Sequence, residues 1–206
     1  MPRNLSAPFF SATPVFRRAD YAQAVGRRSD DKTVTSMLAQ HVRAGHIKRL
    51  ARGFYASLPK HADPACWWVD RFLVASRLRP EAVIGYHSAL EAHDCAYTAA
   101  FDVQVIASGE PGAVETSEIV CRFVRPAAPL GPDSVTVLDR VGQSVPVTTL
   151  ERTVADVFDR PDLAGGADEL LSSLDLVVRL DAHKLVRHLE ALGNATAAGV
   201  AGWWLA

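Results

Sequence analysis

The 206-residue sequence is nearly neutral, with 22 Lys and Arg against 23 Asp and Glu, and 49% of its residues are hydrophobic. These values are typical of a globular protein of one large or two small domains, and they exclude disordered, collagen-like and fibrous chains. Apolar runs such as residues 82–90 and 170–180 are shorter than the roughly 18 residues of a bilayer span. We expect a cytoplasmic protein with no membrane partner, whose first 14 residues form a loose arm and not a targeting segment.

The cysteines and histidines do not favour a disulfide framework or a metal site. The three cysteines, Cys66, Cys95 and Cys121, are odd in number and widely spaced, which indicates reduced side chains. The sets that come nearest to metal-ligand spacing are His87, His93 and Cys95, and the pair His183 and His188. Offsets of five and six residues do not bring ligands to one helix face, so we expect no metal and no cofactor.

Basic residues are concentrated in the first part of the chain. Residues 1–60 have eleven Lys and Arg against three Asp, a net charge of +8, whereas residues 61–206 have a net charge of −9. A basic domain of this kind is typical of nucleic-acid binding, although two-domain proteins also divide their charges unevenly without binding a polyanion. We predict two domains, residues 1–60 and residues 61–206, joined by a linker over residues 57–63.

The basic domain has the element order of a winged helix-turn-helix. The predicted elements are a short apolar strand at residues 15–16, a helix at residues 20–26, a helix from a cap at Ser29 or Asp30 to about residue 44, and strands at residues 46–50 and 54–56. Glycines follow both helices and also stand between the last two strands, where tight turns need them. A small basic subdomain that docks on a protein remains the alternative.

The second of these helices has two distinct stripes. The apolar stripe, spaced for burial against the core, is Val34, Met37, Leu38 and Val42. The opposite stripe, which we call the polar face, is Thr33, Ser36, Gln40 and Arg43. Hydroxyl, amide and guanidinium groups are suited to base edges in a major groove, so these four residues are the predicted base contacts. The predicted phosphate contacts are Arg27, Arg28, Lys32, Lys48, Arg49 and Arg52.

Three motifs resemble those of the AbiEi family of antitoxin regulators. Residues 45–55, GHIKRLARGFY, are similar to the family's "G-x-I-x-R-L-x-R-G-x-Y" wing. Residues 84–93 are similar to its helix-opening "H-x-S-A-L-x-x-H", and residues 147–156 to its "T-x-E-R-T-x-x-D". The resemblance follows the whole chain in order, but residues 202–206 end within what resembles the family's closing helix, which leaves open whether the native chain continues past Ala206.

Residues 61–206 predict an α+β domain. Five segments rich in β-branched residues indicate strands, at residues 82–84, 101–107, 119–124, 135–138 and 145–147. Their short connections favour a mainly antiparallel or mixed sheet, and helices are expected at residues 64–79, 167–178 and 182–192. Thr148 and Glu151 form a capping box, so the E-R-T-x-x-D motif is interpreted first as a helix cap and salt-bridge surface.

The outer faces of the C-terminal helices are acidic or mixed, which suits a basic protein partner or serves only solubility.

No motif for catalysis is present. The chain lacks a phosphate loop, the GxSxG and HExxH motifs and the Gly-Ser plus paired-Asp arrangement of nucleotidyltransferases. A metal-dependent nuclease needs carboxylates near a basic side chain, and after Lys60 the only lysine is Lys184. We expect no enzyme activity, and cleavage of DNA would identify the rival nuclease class.

The resemblance implies a DNA-binding transcription regulator that acts as the antitoxin of a toxin-antitoxin pair. Its implied partners are double-stranded DNA with an inverted-repeat operator and a nucleotidyltransferase-like toxin. The alternative is a stand-alone winged-helix repressor whose second domain dimerises or senses a ligand, with no toxin.

Overall fold

A computed structural model describes residues 6–206, which divide into two compact units. The first unit comprises the residues up to Val69 together with Glu115–Glu118, and the second comprises Asp70–Val114 and Ile119–Ala206. The first unit therefore extends beyond the predicted boundary at residue 60. Hydrogen-bonded turns continue through residues 59–67, where the Asp63 carbonyl accepts from the amides of Cys66 and Trp67.

The first unit is a winged helix-turn-helix, as predicted. Its elements are α1 (Ser6–Ala12), β1 (Val15–Arg17), α2 (Arg18–Ala24), α3 (Lys32–Arg43), β2 (Ile47–Ala51) and β3 (Phe54–Ser57). The three strands form an antiparallel sheet in the order β1-β3-β2. Gly53 makes the β2–β3 turn with a φ of +72°. We call the β2–β3 hairpin, residues 47–57, the wing.

The prediction of a loose N-terminal arm is wrong for residues 6–12, which form α1. Phe9 and Phe10 pack against a core that includes Phe16 and Tyr21, and the Phe10 and Tyr21 rings stack with centroids 5.6 Å apart. The Ser6 hydroxyl also lies 2.9 Å from the Tyr21 hydroxyl. Two adjacent aromatic side chains supply enough apolar surface to hold this helix, although it is too short for a periodic pattern. Residues 1–5 of the predicted arm lie outside the described residues.

Helix α3 begins and ends on local signals. The Asp31 carboxylate caps it by accepting from the Thr33 amide at 2.7 Å, one residue after the predicted cap Asp30 and two after the alternative, Ser29. Val34 is 0% exposed, Leu38 is 1% exposed and Met37 packs partly buried against the same core, which confirms these three members of the apolar stripe. The prediction is wrong for Val42, which is 38% exposed in the last turn of the helix.

The C-terminus of α3 is a Schellman motif. The Gly45 amide donates to the Val42 carbonyl, and the His46 amide donates to the His41 carbonyl at 3.0 Å. Gly45 has a φ of +70°, the left-handed conformation that this motif requires at that position.

The second unit is an α+β domain around a six-stranded mixed sheet. The strands are β4 (Val83–Ile84), β5 (Asp102–Ile106), β6 (Gly112–Glu115), β7 (Val120–Val124), β8 (Val135–Arg140) and β9 (Gln143–Thr148), in the order β6-β7-β5-β4-β9-β8. The β5–β7 and β4–β9 pairs are parallel, and the β4–β5 and β8–β9 pairs are antiparallel. These findings confirm the predicted mixed sheet and add β6, which has little β-branched character.

Six helices of the described chain pack in this unit. They are α4 (Arg71–Leu78), α5 (Tyr86–Ala92), α6 (Leu150–Asp159), α7 (Ala167–Leu174), α8 (Ala182–Leu192) and α9 (Ala195–Leu205). Helix α4 begins seven residues after the predicted start at Pro64, because Asp70 caps it by accepting from the Leu73 amide. In residues 6–206, no helix has both the length and the apolar character to cross a bilayer.

Candidate nucleic-acid interface

The polar face of α3 is open to solvent along its whole length. Thr33, Ser36, Gln40 and Arg43 are all exposed, and the buried residues Val34 and Leu38 occupy the other side of the helix. The Ser36 hydroxyl donates to the Lys32 carbonyl at 3.2 Å, which leaves its oxygen able to accept. The packing that holds α3 in the unit therefore uses none of the four predicted base contacts.

Two predicted phosphate contacts already have acidic neighbours. Arg27 Nη1 lies 2.9 Å from Asp31 Oδ2, and Arg28 Nη2 lies 3.2 Å from Asp30 Oδ2. Hydrogen bonds from the Thr33 backbone amide and from Arg27 lower the pKa of Asp31. Both pairs are solvent-exposed, so each contributes little to stability and exchanges readily for another anion.

The wing presents two cations and holds a third in an ion pair. Arg49 and Arg52 are exposed, and neither forms an ion pair with any residue from 6 to 206. Lys48 Nζ pairs with Glu118, whose side chain is only 4% exposed. Next to Glu118 in the chain, the Ser117 amide donates to the Leu50 carbonyl at 2.9 Å. Lys48 is therefore much less available to a phosphate than Arg49 or Arg52.

The structure thus places the ten predicted DNA contacts in one unit, but they differ in how free each side chain is to contact DNA. Those without an ion pair among the described residues are Lys32, Thr33, Ser36, Gln40, Arg43, Arg49 and Arg52. Local sequence reasoning missed the role of Glu118, because this residue lies far along the chain from the wing and no pattern links the two. The pair of Arg27 with Asp31 could not be found from helical spacing either, because both residues lie between the end of α2 and the start of α3.

A second polar cluster surrounds His87 in the other unit. The His87 side chain is 3% exposed; its Nδ1 lies 3.2 Å from Glu91 Oε1 and its Nε2 lies 3.1 Å from Glu169 Oε1. Burial lowers the pKa of His87, but hydrogen bonds to the two carboxylates outweigh it and raise the pKa overall.

Glu169 in this cluster is held in its ionised form. Burial raises its pKa, but hydrogen bonds from the Thr98 amide, His87 and Ser173 lower it to about 2. An adjoining cavity of about 310 Å³ is lined by both His87 and Glu169, and by Gln104, which is 7% exposed.

The other histidines and cysteines singled out by spacing do not gather into a metal centre. His93 Nε2 donates to the Thr148 carbonyl at 2.7 Å, and the Cys95 thiol donates to the His93 carbonyl. Across residues 6–206, no group of three or more His, Cys, Asp or Glu side chains is arranged to hold a metal ion.

The E-R-T-x-x-D segment lies in α6. The predicted cap at Thr148 is wrong by one residue, because Thr149 caps the helix by accepting from the Arg152 amide. Arg152 and Asp156 of this segment pair in the interior of the second unit.

Comparisons with known proteins give a fold and no family. No family model matches the chain, and no curated protein matches it. In structure the chain is similar to the Rv2827c protein of Mycobacterium tuberculosis, with a TM-score of 0.57 and 17% sequence identity. The match covers 93% of this chain and 71% of that protein. At this identity the similarity concerns the fold.

Proposed function

We propose that the protein is a cytoplasmic, non-catalytic transcription regulator that binds double-stranded DNA through the first unit. The observation that carries this proposal is the polar face of α3, four exposed hydrogen-bonding side chains on a helix that packs through its opposite side. The major groove of B-DNA is about 12 Å wide and admits an α-helix. Gln40 and Arg43 have the side chains that pair with adenine and guanine edges, respectively.

The wing supports the same mode of binding. A winged helix places its hairpin beside the groove that the recognition helix enters, where basic side chains meet phosphates. Arg49 and Arg52 are exposed on the wing, and Lys32 is exposed at the start of α3. Together with Arg27 and Arg28, whose exposed ion pairs exchange readily, they supply cations for about five phosphates.

The antitoxin part of the proposal is supported by the three motifs that resemble AbiEi regulators. On this reading the protein represses its own promoter at an inverted-repeat operator and counteracts a nucleotidyltransferase-like toxin. The buried Arg152–Asp156 pair supports a structural role for the third motif, since neither side chain is accessible to a partner. Contact with a toxin would then fall on the exposed, acidic or mixed faces of the C-terminal helices.

The DNA-binding proposal is tested by fluorescence anisotropy with the upstream promoter fragment and with random duplexes of equal length. We expect the promoter to bind at least tenfold more tightly than the random duplexes. The Gln40→Ala plus Arg43→Ala variant should lose that preference while keeping its unfolding transition. The matched control is Arg179→Ala, which removes one exposed charge from the second unit and should bind normally. Equal affinity for promoter and random DNA would refute specific recognition.

A stand-alone repressor that senses a ligand is the second candidate, and the cavity beside His87 and Gln104 favours it. Co-expression with the adjacent gene separates the two candidates. If that gene is toxic and the Gln40→Ala plus Arg43→Ala variant still rescues growth, the antitoxin function is supported independently of repression. A harmless neighbouring gene would favour the stand-alone repressor.

A further inference from the structure

The Schellman motif at the end of α3 brings two imidazoles together. In this motif the third-from-last helical residue and the second residue beyond the cap lie side by side, and an apolar pair often occupies them. Here these positions are His41 and His46, joined by the hydrogen bond from the His46 amide to the His41 carbonyl. Their Nδ1 atoms are 3.2 Å apart and their ring centroids are 5.5 Å apart.

This separation suits a shared metal ion. Zinc binds histidine nitrogens at about 2.0–2.1 Å, so two nitrogens in a tetrahedral site lie about 3.3 Å apart. Without metal, two neutral imidazoles share one proton, which one Nδ1 donates and the other accepts. A divalent cation displaces that proton from Nδ1, and the same ring takes up a proton from solvent at Nε2. Both imidazoles therefore stay neutral, and each gives its Nδ1 lone pair to the metal.

The surroundings of the two rings fit the same role. The His41 ring is half-buried and packs edge-on against Phe10, with centroids 4.8 Å apart, so its orientation is fixed before a metal arrives. His46 is exposed and leaves the opposite side of the site open to water ligands. The backbone motif and the aromatic contact thus preorganise a chelating pair at the surface.

We infer that His41 and His46 form a two-ligand site for a divalent first-row transition metal such as Zn²⁺ or Ni²⁺, bound through both Nδ1 atoms and completed by water. Within residues 6–206 no third acidic, His or Cys side chain completes a cluster with them, so the affinity is weaker than that of a four-ligand structural zinc site. The bound ion links the last turn of α3 to the residue before β2 and stabilises that junction. This inference does not depend on DNA binding.

Calorimetric titration of the untagged full chain with ZnCl₂ and with NiCl₂ tests the site. All proteins carry Cys66→Ser, because the exposed Cys66 thiol is a competing ligand. We expect one ion per chain in the parent protein and at least tenfold weaker binding in His46→Ala and in His46→Gln. The matched control, His183→Ala, removes an exposed histidine of α8 and should bind like the parent. Zn²⁺ should also raise the Tm of the parent and not that of His46→Ala.

Imidazole nitrogen NMR of the parent protein tests the same inference without any substitution at the site. Zinc should shift the Nδ1 resonances of two histidines at the same metal concentration. In His46→Ala, zinc should shift neither of them. The site would be disproved by an unchanged affinity for zinc in both His46 variants or by loss of zinc binding in His183→Ala. Histidine Nδ1 resonances that do not shift when zinc is added would also disprove it.

Discussion

Arg152 and Asp156 form a salt bridge in which each side chain is only 1% exposed. Arg152 Nε donates to both carboxylate oxygens at 2.9 Å, and its terminal nitrogens donate to the carbonyls of Pro129 and Ala128. One guanidinium therefore joins α6 to the segment before β8. The charge is tolerated in the interior because each of its nitrogens has a partner.

Removing one member of this pair should be costly. Arg152→Ala leaves the Asp156 carboxylate buried without its counter-charge, and we expect a loss of about 3–5 kcal/mol in the free energy of unfolding. Urea denaturation followed by circular dichroism measures it. The control is Arg160→Ala at the end of the same helix, whose pair with Asp162 is exposed and should contribute at most about 1 kcal/mol. Similar losses in both variants would contradict the structural role assigned to Arg152.

The His87 cluster makes the free energy of unfolding depend on pH above the unfolded histidine pKa of 6.5. Its folded-state pKa lies above the unfolded value of 6.5 because Glu91 and Glu169 favour the imidazolium. The stabilisation that protonated His87 gives the folded state is complete below the unfolded pKa. It is lost as the pH rises through the folded pKa. Arg71 Nη2 also lies 3.3 Å from Glu91 Oε1, so this carboxylate has two basic neighbours, Arg71 and His87.

Urea unfolding at a series of pH values from about 6 to 9 should therefore show a decline for the parent and a flatter profile for His87→Gln. His183→Gln, at an exposed position, should keep the parent profile. An unchanged decline in His87→Gln would assign the pH dependence to another group.

Glu118 should weaken DNA binding through its pair with Lys48. Glu118→Gln keeps the size of the side chain and frees the Lys48 ammonium for a phosphate, so the affinity for duplex DNA should rise. Fluorescence anisotropy at several salt concentrations would show a salt dependence steeper by about 0.9 in log–log slope. Glu110→Gln removes an exposed carboxylate of the second unit and serves as the control. Equal affinities in the three proteins would place Lys48 outside the DNA interface.

The parent protein should show a strong salt dependence of its own. With about five phosphates neutralised, log affinity should fall with log salt concentration at a slope of about −4 to −5. Arg52→Ala should reduce the slope by about one, whereas Lys48→Ala should change it little because Lys48 is already paired. A slope near zero would exclude phosphate contact as the source of affinity.

Much of the first unit could be predicted because its signals are local. The 3.6-residue spacing of Val34 and Leu38 identified the buried side of α3, and Gly45 identified its end. The short helix α1 escaped prediction because tertiary packing of Phe9 and Phe10 stabilises it, not periodicity. The ion pair of Lys48 with Glu118 could not be predicted for a related reason, since only the folded chain brings these residues together.

The second unit shows the same division. Strands β5, β7 and β9 were predictable from β-branched residues, whereas β6 begins at Gly112 and carries no such run. Helix α4 was predicted too early because Pro64 is a favourable first-turn residue, but the cap that the chain uses is Asp70.

The insertion of Glu115–Glu118 into the first unit makes that unit discontinuous in the chain. A fragment cut after Val69 would retain α3 and the wing but lack the Ser117 amide that bonds the Leu50 carbonyl and the carboxylate that neutralises Lys48. In such a fragment the Lys48 ammonium would lack its carboxylate partner, and the wing would be held less firmly. Experiments on an excised N-terminal fragment would consequently overstate the attraction to polyanions, and dissection of this protein is better done by point substitution in the intact polypeptide.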